Sequence, residues 1–222
     1  MKTELIITGD GSHSIFVPEL NEHYHSTFGA IRESDIVFIE NGLKEILKSK
    51  KNIRIFEMGF GTGLNAYLTL LHSLKLPVII QYTALEAFPL DMETVQKLNY
   101  AEELENASHE NNFLNLHASS WEQPVSLSNS FQLLKQNVSL LDFYAENKFD
   151  LIYFDAFAPD VQPELWTEEI FDKLYKMMNP GGILVTYCCK GIVKRNMKAA
   201  GFDIEKLPGP PGKREVLRAR SV

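Results

Sequence analysis

Cysteine is almost absent from this chain of 222 residues: there are two, Cys188 and Cys189, side by side. At the end of an expected buried strand, neighbouring cysteines cannot close an ordinary structural disulfide, and they have no ligand partners nearby, so they are read as core thiols. No apolar run approaches the roughly 20 residues of a membrane span. Glu4 and Asp10 interrupt the short apolar stretch at the start, so no signal peptide is expected either. The expectation is a soluble, cytoplasmic protein without membrane contact. Internal repeats and low-complexity tracts are lacking. The six histidines form no metal-ligand cluster; His23 and His25 flank Tyr24 and are expected to have surface or packing roles, and no metal is expected. No Ser-His-Asp or Cys-His constellation is present. A surplus of positive charge is missing too, since 22 basic residues face 29 acidic ones for a net charge of -7.

That charge is uneven. From residue 190 onward nine basic residues face three acidic ones, a local +6 on a remainder of -13. The asymmetry is compatible with a polyanion site on an acidic body, and equally with a solvated helix face followed by a basic edge strand. At 45% hydrophobic, the chain can fill the core of one α/β domain. Strands are expected at 53–57, 78–86, 131–135, 149–155 and 183–188, and helices at 64–74, 89–98, 166–178 and 191–200, the last ending at Gly201. This is the βαβ rhythm of a parallel sheet. Residues 100–129 read as a less regular insertion and Asn179-Pro180-Gly181-Gly182 as a turn. Residues 207–212 are too rich in proline and glycine for regular structure, after which 214–219 alternates and can pair backwards as an antiparallel last strand. Before residue 50, stretches 5–8 and 14–17 around Gly9-Asp10-Gly11 suggest a hairpin, and 34–45 a strand followed by a helix. The expected organisation is an extension over 1–50 covering the site and a Rossmann-like domain over 51–222.

Chemistry concentrates at three strand ends. Glu57-Met58-Gly59-Phe60-Gly61-Thr62-Gly63 is a glycine-rich turn between strand and helix, where bare backbone can approach a ligand. A dinucleotide fingerprint spaces its third glycine one position later; here the third comes early and an acid precedes the first, as in the nucleoside-binding turn of S-adenosylmethionine-dependent methyltransferases. Glu57 is then a candidate for the cofactor's ammonium group, with Gly59, Gly61 and Gly63 around it. Glu86, 23 positions after Gly63, is placed to accept hydrogen bonds from ribose hydroxyls, and Asn137 stands where an acid or amide would meet the adenine amino group, although a turn residue is the plainer reading. Asp155, at the carboxyl end of a central strand and opening into Ala156-Phe157-Ala158-Pro159, is the candidate catalytic residue: an acceptor for the N–H groups of an attacking amine orients it and takes up its developing charge. A loop-capping role is the alternative.

Together these motifs resemble the methyltransferase module of the bifunctional tRNA 5-methylaminomethyl-2-thiouridine biosynthesis protein MnmC. The likeness rests on residues 57–65, Glu86, the 154–159 block with Pro163 and Trp166, residues 179–182, Thr186-Tyr187, 200–202 and Lys213-Arg214-Glu215. It implies methylation of an aminomethyl group on the wobble uridine of tRNA, with Phe157, Pro159, Lys213 and Arg214 on the substrate side; the expected departure from the family is the lack of a flavin module after Val222. A methyltransferase for a small-molecule amine or hydroxyl, and a non-catalytic nucleoside-binding module, stay open.

Overall fold

The computed structural model describes residues 3–104 and 110–222, so residues 105–109 of the expected insertion, His109 among them, lie outside the described residues. A three-stranded antiparallel sheet opens the chain: β1 (Glu4–Ile7), β2 (His13–Val17) and β3 (Glu22–His23). The main sheet has eight strands: β4 (Asn52–Met58), β5 (Ile79–Leu85), β6 (Val125–Ser128), β7 (Phe131–Gln136), β8 (Phe149–Phe154), β9 (Met178–Thr186), β10 (Asp203–Pro208) and β11 (Glu215–Arg220). Their order is β10-β11-β9-β8-β4-β5-β7-β6. The inner strands β7, β5, β4, β8 and β9 run parallel, while β11 is antiparallel to both β9 and β10. This is a Rossmann-like α/β sheet with a reversed last strand.

β8 is buried at all six positions, as a central parallel strand covered on both faces must be. Alternation on β4 splits the core: Ile55 joins the cluster holding the helix Leu64–Ser73, and Phe56 the cluster holding Glu168–Lys176 and Gly191–Ala199.

Several expectations need correcting. Residues 34–45 contain no strand; Asp35–Leu43 is a wide π-helix that buries Val37, Phe38, Ile39, Gly42 and Leu43. Its β-branched run favours a strand, but burial against the sheet overrides propensity. A Cβ on Gly42 would lie 3.0 Å from Val185 and 3.3 Å from Leu151, so this helix presses directly on β8 and β9. Asn179–Gly182 is the bulged first half of β9, with Gly181 at φ 73°, and not a separate turn. Leu207 and Pro208 close β10; proline is tolerated there because β10 is an edge strand. The region 89–98 shortens to Met92–Val95, and the insertion contributes the helix Glu110–Ala118 and strand β6.

Asp150 ties the lower edge of the sheet together. Its carboxylate accepts from the Arg54 amide at 2.9 Å, from Asn179 at 2.8 Å and from Lys50. Burial opposes ionisation, but these three bonds outweigh it and hold the carboxyl below its usual range. Asp150→Ala is expected to cost about 1.5–3 kcal/mol in urea unfolding near neutral pH. Because the folded pKa is depressed, the contribution is present above the unfolded value and lost as pH falls through the folded one, so wild type and variant should converge in acid.

Candidate functional site

β4, β5 and β8 end on the same edge of the sheet, beside a cavity of about 550 Å³. Gly59 has φ 90°, and a Cβ there would lie 2.6 Å from the Asp155 carbonyl oxygen, so only glycine lets the turn after β4 lie against the end of β8. The amides of Gly59 and Phe60 donate to the Leu85 carbonyl at 3.1 and 3.0 Å, and the Asp155 amide donates to Met58 at 3.1 Å. Three strand ends are thus knitted by backbone alone.

Gly59, Gly61, Glu86, Asp155, Phe157 and Lys213 all line the cavity. Glu86 accepts from the Gly61 amide at 2.8 Å through one oxygen and from the Phe88 amide at 2.9 Å through the other, which fixes the glycine turn to the loop after β5. Asp155 faces the cavity with Oδ2 accepting from Asn65 Nδ2 at 2.8 Å. Burial, then the charge of Glu33, push its carboxyl up to about 7 against the opposing Asn65 bond and Lys213 charge. Near neutrality it therefore exchanges a proton readily.

Five other candidates lie outside the lining. Glu57, on β4, is fully buried, with its side chain inside the fold. Gly63 is the left-handed cap of the helix Leu64–Ser73; a Cβ there would meet His117 Nε2 at 2.6 Å. Asn137 is exposed and donates its amide to the carbonyls of Glu86, at 2.7 Å, and Ala87, at 3.2 Å, which clamps the loop after β5. Pro159 is buried beside the lining residue Ala158, and Arg214 is exposed on the outer surface.

The N-terminal segment contributes more than the sequence suggested. Residues 22–28 and Glu33 line the cavity, and His25, expected on the surface or in packing, is buried with Nε2 2.6 Å from the Thr62 hydroxyl. Burial holds this imidazole down to about 4, so it is neutral. Glu33, buried, accepts from the Ser26 amide at 2.7 Å and pairs with Lys213, whose ammonium lies 4.1 Å from the centre of the Tyr187 ring. The Tyr187 hydroxyl donates to the Ala156 carbonyl at 2.8 Å. No local motif marks Glu33; its place follows from the helix at 30–34 docking beside the site.

A family model described as S-adenosyl-L-methionine-dependent methyltransferase matches residues 87–221. The chain belongs to this family. The glycine turn and Glu86 lie just before the matched region. Among similar proteins are two named tRNA 5-methylaminomethyl-2-thiouridine biosynthesis bifunctional protein MnmC. That from Leptospira borgpetersenii serovar Hardjo-bovis (strain JB197) is 31% identical over 214 residues, covering 89% of this chain and 32% of its own length. That from Cupriavidus metallidurans is 29% identical over 231 residues, covering 98% and 34%. The chain spans about a third of the length of these curated relatives. In fold it is similar to MnmC2 from Aquifex aeolicus, with a TM-score of 0.77, 24% identity and coverage of 98% of this chain and 70% of that one. Spermidine synthase from Thermotoga maritima is a more distant fold relative, with a TM-score of 0.57, 11% identity and coverage of 100% and 72%.

The cofactor of this methyltransferase is S-adenosyl-L-methionine, and the site fits it: the glycine turn leaves bare backbone on the cavity, and Glu86 places a carboxylate beside it. Removing the carboxylate that holds both Gly61 and Phe88 should loosen this wall. Glu86→Ala is expected to weaken S-adenosylhomocysteine binding by about 1.5–3 kcal/mol, measured by calorimetric titration, without unfolding the protein.

Proposed function

We propose that this methyltransferase acts on an aminomethyl group of the tRNA wobble uridine, producing methylaminomethyl uridine in the cytoplasm. The observation that carries the reading is Asp155: a carboxyl at the mouth of β8, facing the cavity and poised near neutrality, beside the glycine turn. The names of the MnmC relatives support a tRNA amine as its substrate.

In this reading Gly59 and Gly61 offer backbone to the cofactor, Glu86 accepts from its ribose, and the segment before residue 50 covers the site. S-adenosyl-L-methionine supplies an electrophilic methyl group. Asp155, as carboxylate, accepts an N–H of the substrate amine, turns its lone pair toward the methyl carbon and takes up the charge that forms on nitrogen. Methyl transfer from the bound cofactor, which would leave as S-adenosylhomocysteine, would make the nitrogen a secondary ammonium. Its surplus proton passes to Asp155 or to water. Phe157, which packs edge-on against Tyr24 at 5.3 Å between ring centres, forms one wall for the base.

The basic tail is less free than its count implies. Lys190 pairs with Asp160, Lys206 with Glu215, Lys213 with Glu33, Arg218 with Glu45 and Glu205, and Arg220 with Glu45. Lys194, Arg195, Lys198 and Arg214 enter no ion pair with the described residues, and the charges of Arg214 and Lys194 both act on Glu215, which makes them neighbours. Phosphate contact is therefore assigned to these four rather than to Lys213. A Lys194→Ala/Arg214→Ala variant should bind tRNA more weakly, its salt dependence shallower by about one unit of log-log slope for each phosphate that is no longer neutralised. An unchanged slope returns them to a solvated surface.

Incubation of the protein with labelled S-adenosyl-L-methionine and tRNA from cells lacking it, followed by nucleoside analysis, tests the assignment. Label in methylaminomethyl uridine is expected; label only in a small amine or hydroxyl compound would replace the RNA reading. Asp155→Ala should lose roughly 10²–10³-fold in turnover while keeping cofactor affinity, and Asp155→Asn should keep more. In the wild type the rate should climb with pH as Asp155 ionises around 7 and keep rising until the bound amine is mostly neutral, because an ammonium has no free lone pair.

A further inference from the structure

Three aromatic side chains stand exposed among the described residues: Phe28, Phe88 and Tyr144. Tyr144 is met by the Lys173 ammonium, 5.1 Å from the ring centre. Phe88 belongs to the cofactor wall, where its amide donates to Glu86 at 2.9 Å. Phe28 has no such place. Its residue is 58% exposed, yet it lines the cavity on the side of Glu33 and Lys213, so it stands at the mouth. A single exposed apolar side chain is ordinary in itself. What sets Phe28 apart is how it is held and what lies beside it.

The segment that carries the ring is fixed through its backbone. The Gly9 amide donates to the Thr27 carbonyl at 2.8 Å, the Gly29 amide to the Ser26 carbonyl at 3.1 Å, and the Phe28 amide to the Ser26 hydroxyl at 3.3 Å. Gly9 approaches so closely that a Cβ there would lie 3.0 Å from the Phe28 carbonyl oxygen. One side of the ring rests on Gly212, which has φ 85°; a Cβ there would lie 2.3 Å from Cδ2 and 2.6 Å from Cε2 of Phe28. Bare backbone thus supports the ring, and its position is set before any ligand arrives. Arg214, exposed and in no ion pair with the described residues, follows two positions after Gly212, and two residues of chain reach at most about 7 Å. An aromatic surface next to a free cation complements a nucleotide, which offers a base and a phosphate together.

We propose that Phe28 is a stacking platform for the RNA base that adjoins the target uridine. A uridine whose aminomethyl group must reach Asp155 inside the cavity has to leave the stack of its strand. Its departure bares one face of the neighbouring base, and an aromatic ring at the mouth restores the lost stacking. Every base has a π-face, so the platform accepts any neighbour. Tyr24 and Phe157, half-buried with ring centres 5.3 Å apart, stay with the target base itself. Phe28 in this way favours a single-stranded loop over a free nucleoside, which brings no second base to stack.

This inference rests on the RNA reading of the site. Phe28→Ala should raise KM for tRNA about 10-fold, as the loss of one stacked base predicts, with turnover at saturating tRNA and affinity for S-adenosylhomocysteine kept within about 2-fold. Phe28→Tyr and Phe28→Trp should keep the wild-type KM, and Phe28→Leu should behave as the alanine variant. A leucine as good as phenylalanine would reduce the contact to apolar burial and overturn stacking. Because the ring neutralises no phosphate, the salt dependence of tRNA binding by Phe28→Ala should have the wild-type slope. A shallower slope would show that the substitution acts through the loop carrying Arg214, against the proposal. In an anticodon stem-loop with 2-aminopurine on one or the other side of the target uridine, the probe at one position should stay quenched on the wild type and brighten on Phe28→Ala. Equal signals from the two proteins at both positions would overturn the platform. An unchanged KM with an altered sedimentation coefficient would assign the ring to a contact between copies of this chain instead. Failure of the wild type to methylate tRNA would remove the RNA reading and the platform with it, whereas wild-type methylation with an indifferent Phe28→Ala removes the platform alone.

Discussion

The site depends on a place where nothing fits. Between the turn after β4 and the carbonyl of Asp155 there is no room for a methyl group at Gly59, and that contact sets how closely the glycine turn approaches the end of β8. The hydrogen bonds around the cavity follow from this proximity: Gly61 is held by Glu86 on one side, and Asp155 by Asn65 on the other, so the glycine turn and the Asp155 carboxyl share one frame. Backbone hydrogen bonds between strand ends make the frame. Side chains tune it.

Electrostatics around the cavity form a graded set and not a uniform field. Glu57 is sealed inside, Asp155 faces the cavity, and Glu33, also on the lining, is paired with Lys213. Burial first and neighbouring acids second raise the carboxyls of Glu57 and Asp155, whose depth differs. His25, often the first suspect in an enzyme site, is held neutral by burial and bonds to Thr62 at the start of the helix that the turn feeds. Its role is to tie the N-terminal segment to the turn.

Much of this was legible in the residues, because local physics decided it. The glycine spacing, the acids at 86 and 155 and the alternation after residue 214 each depend on a few neighbours, and each sits where the pattern put it. Side-chain direction was less legible. Glu57 and Met58 are adjacent, and strand alternation sends one inward and the other to the cavity, a choice that the motif alone does not reveal. The run Asp35–Leu43 looked like a strand start because its propensities are those of a strand; only the sheet face it covers makes it a helix. Glu33 gave no sign at all, since its partner lies far along the chain.

That distance shapes how the protein comes into being. Glu33 and Lys213 are 180 positions apart, and contacts of such separation form only after the intervening chain has been ordered enough to offset the entropy of closing the loop. The glycine turn after β4, held against β5 and the end of β8, involves shorter separations and can form earlier. The lining of the cavity is therefore completed late, when the loop at 208–213 reaches back to Phe28 and Glu33.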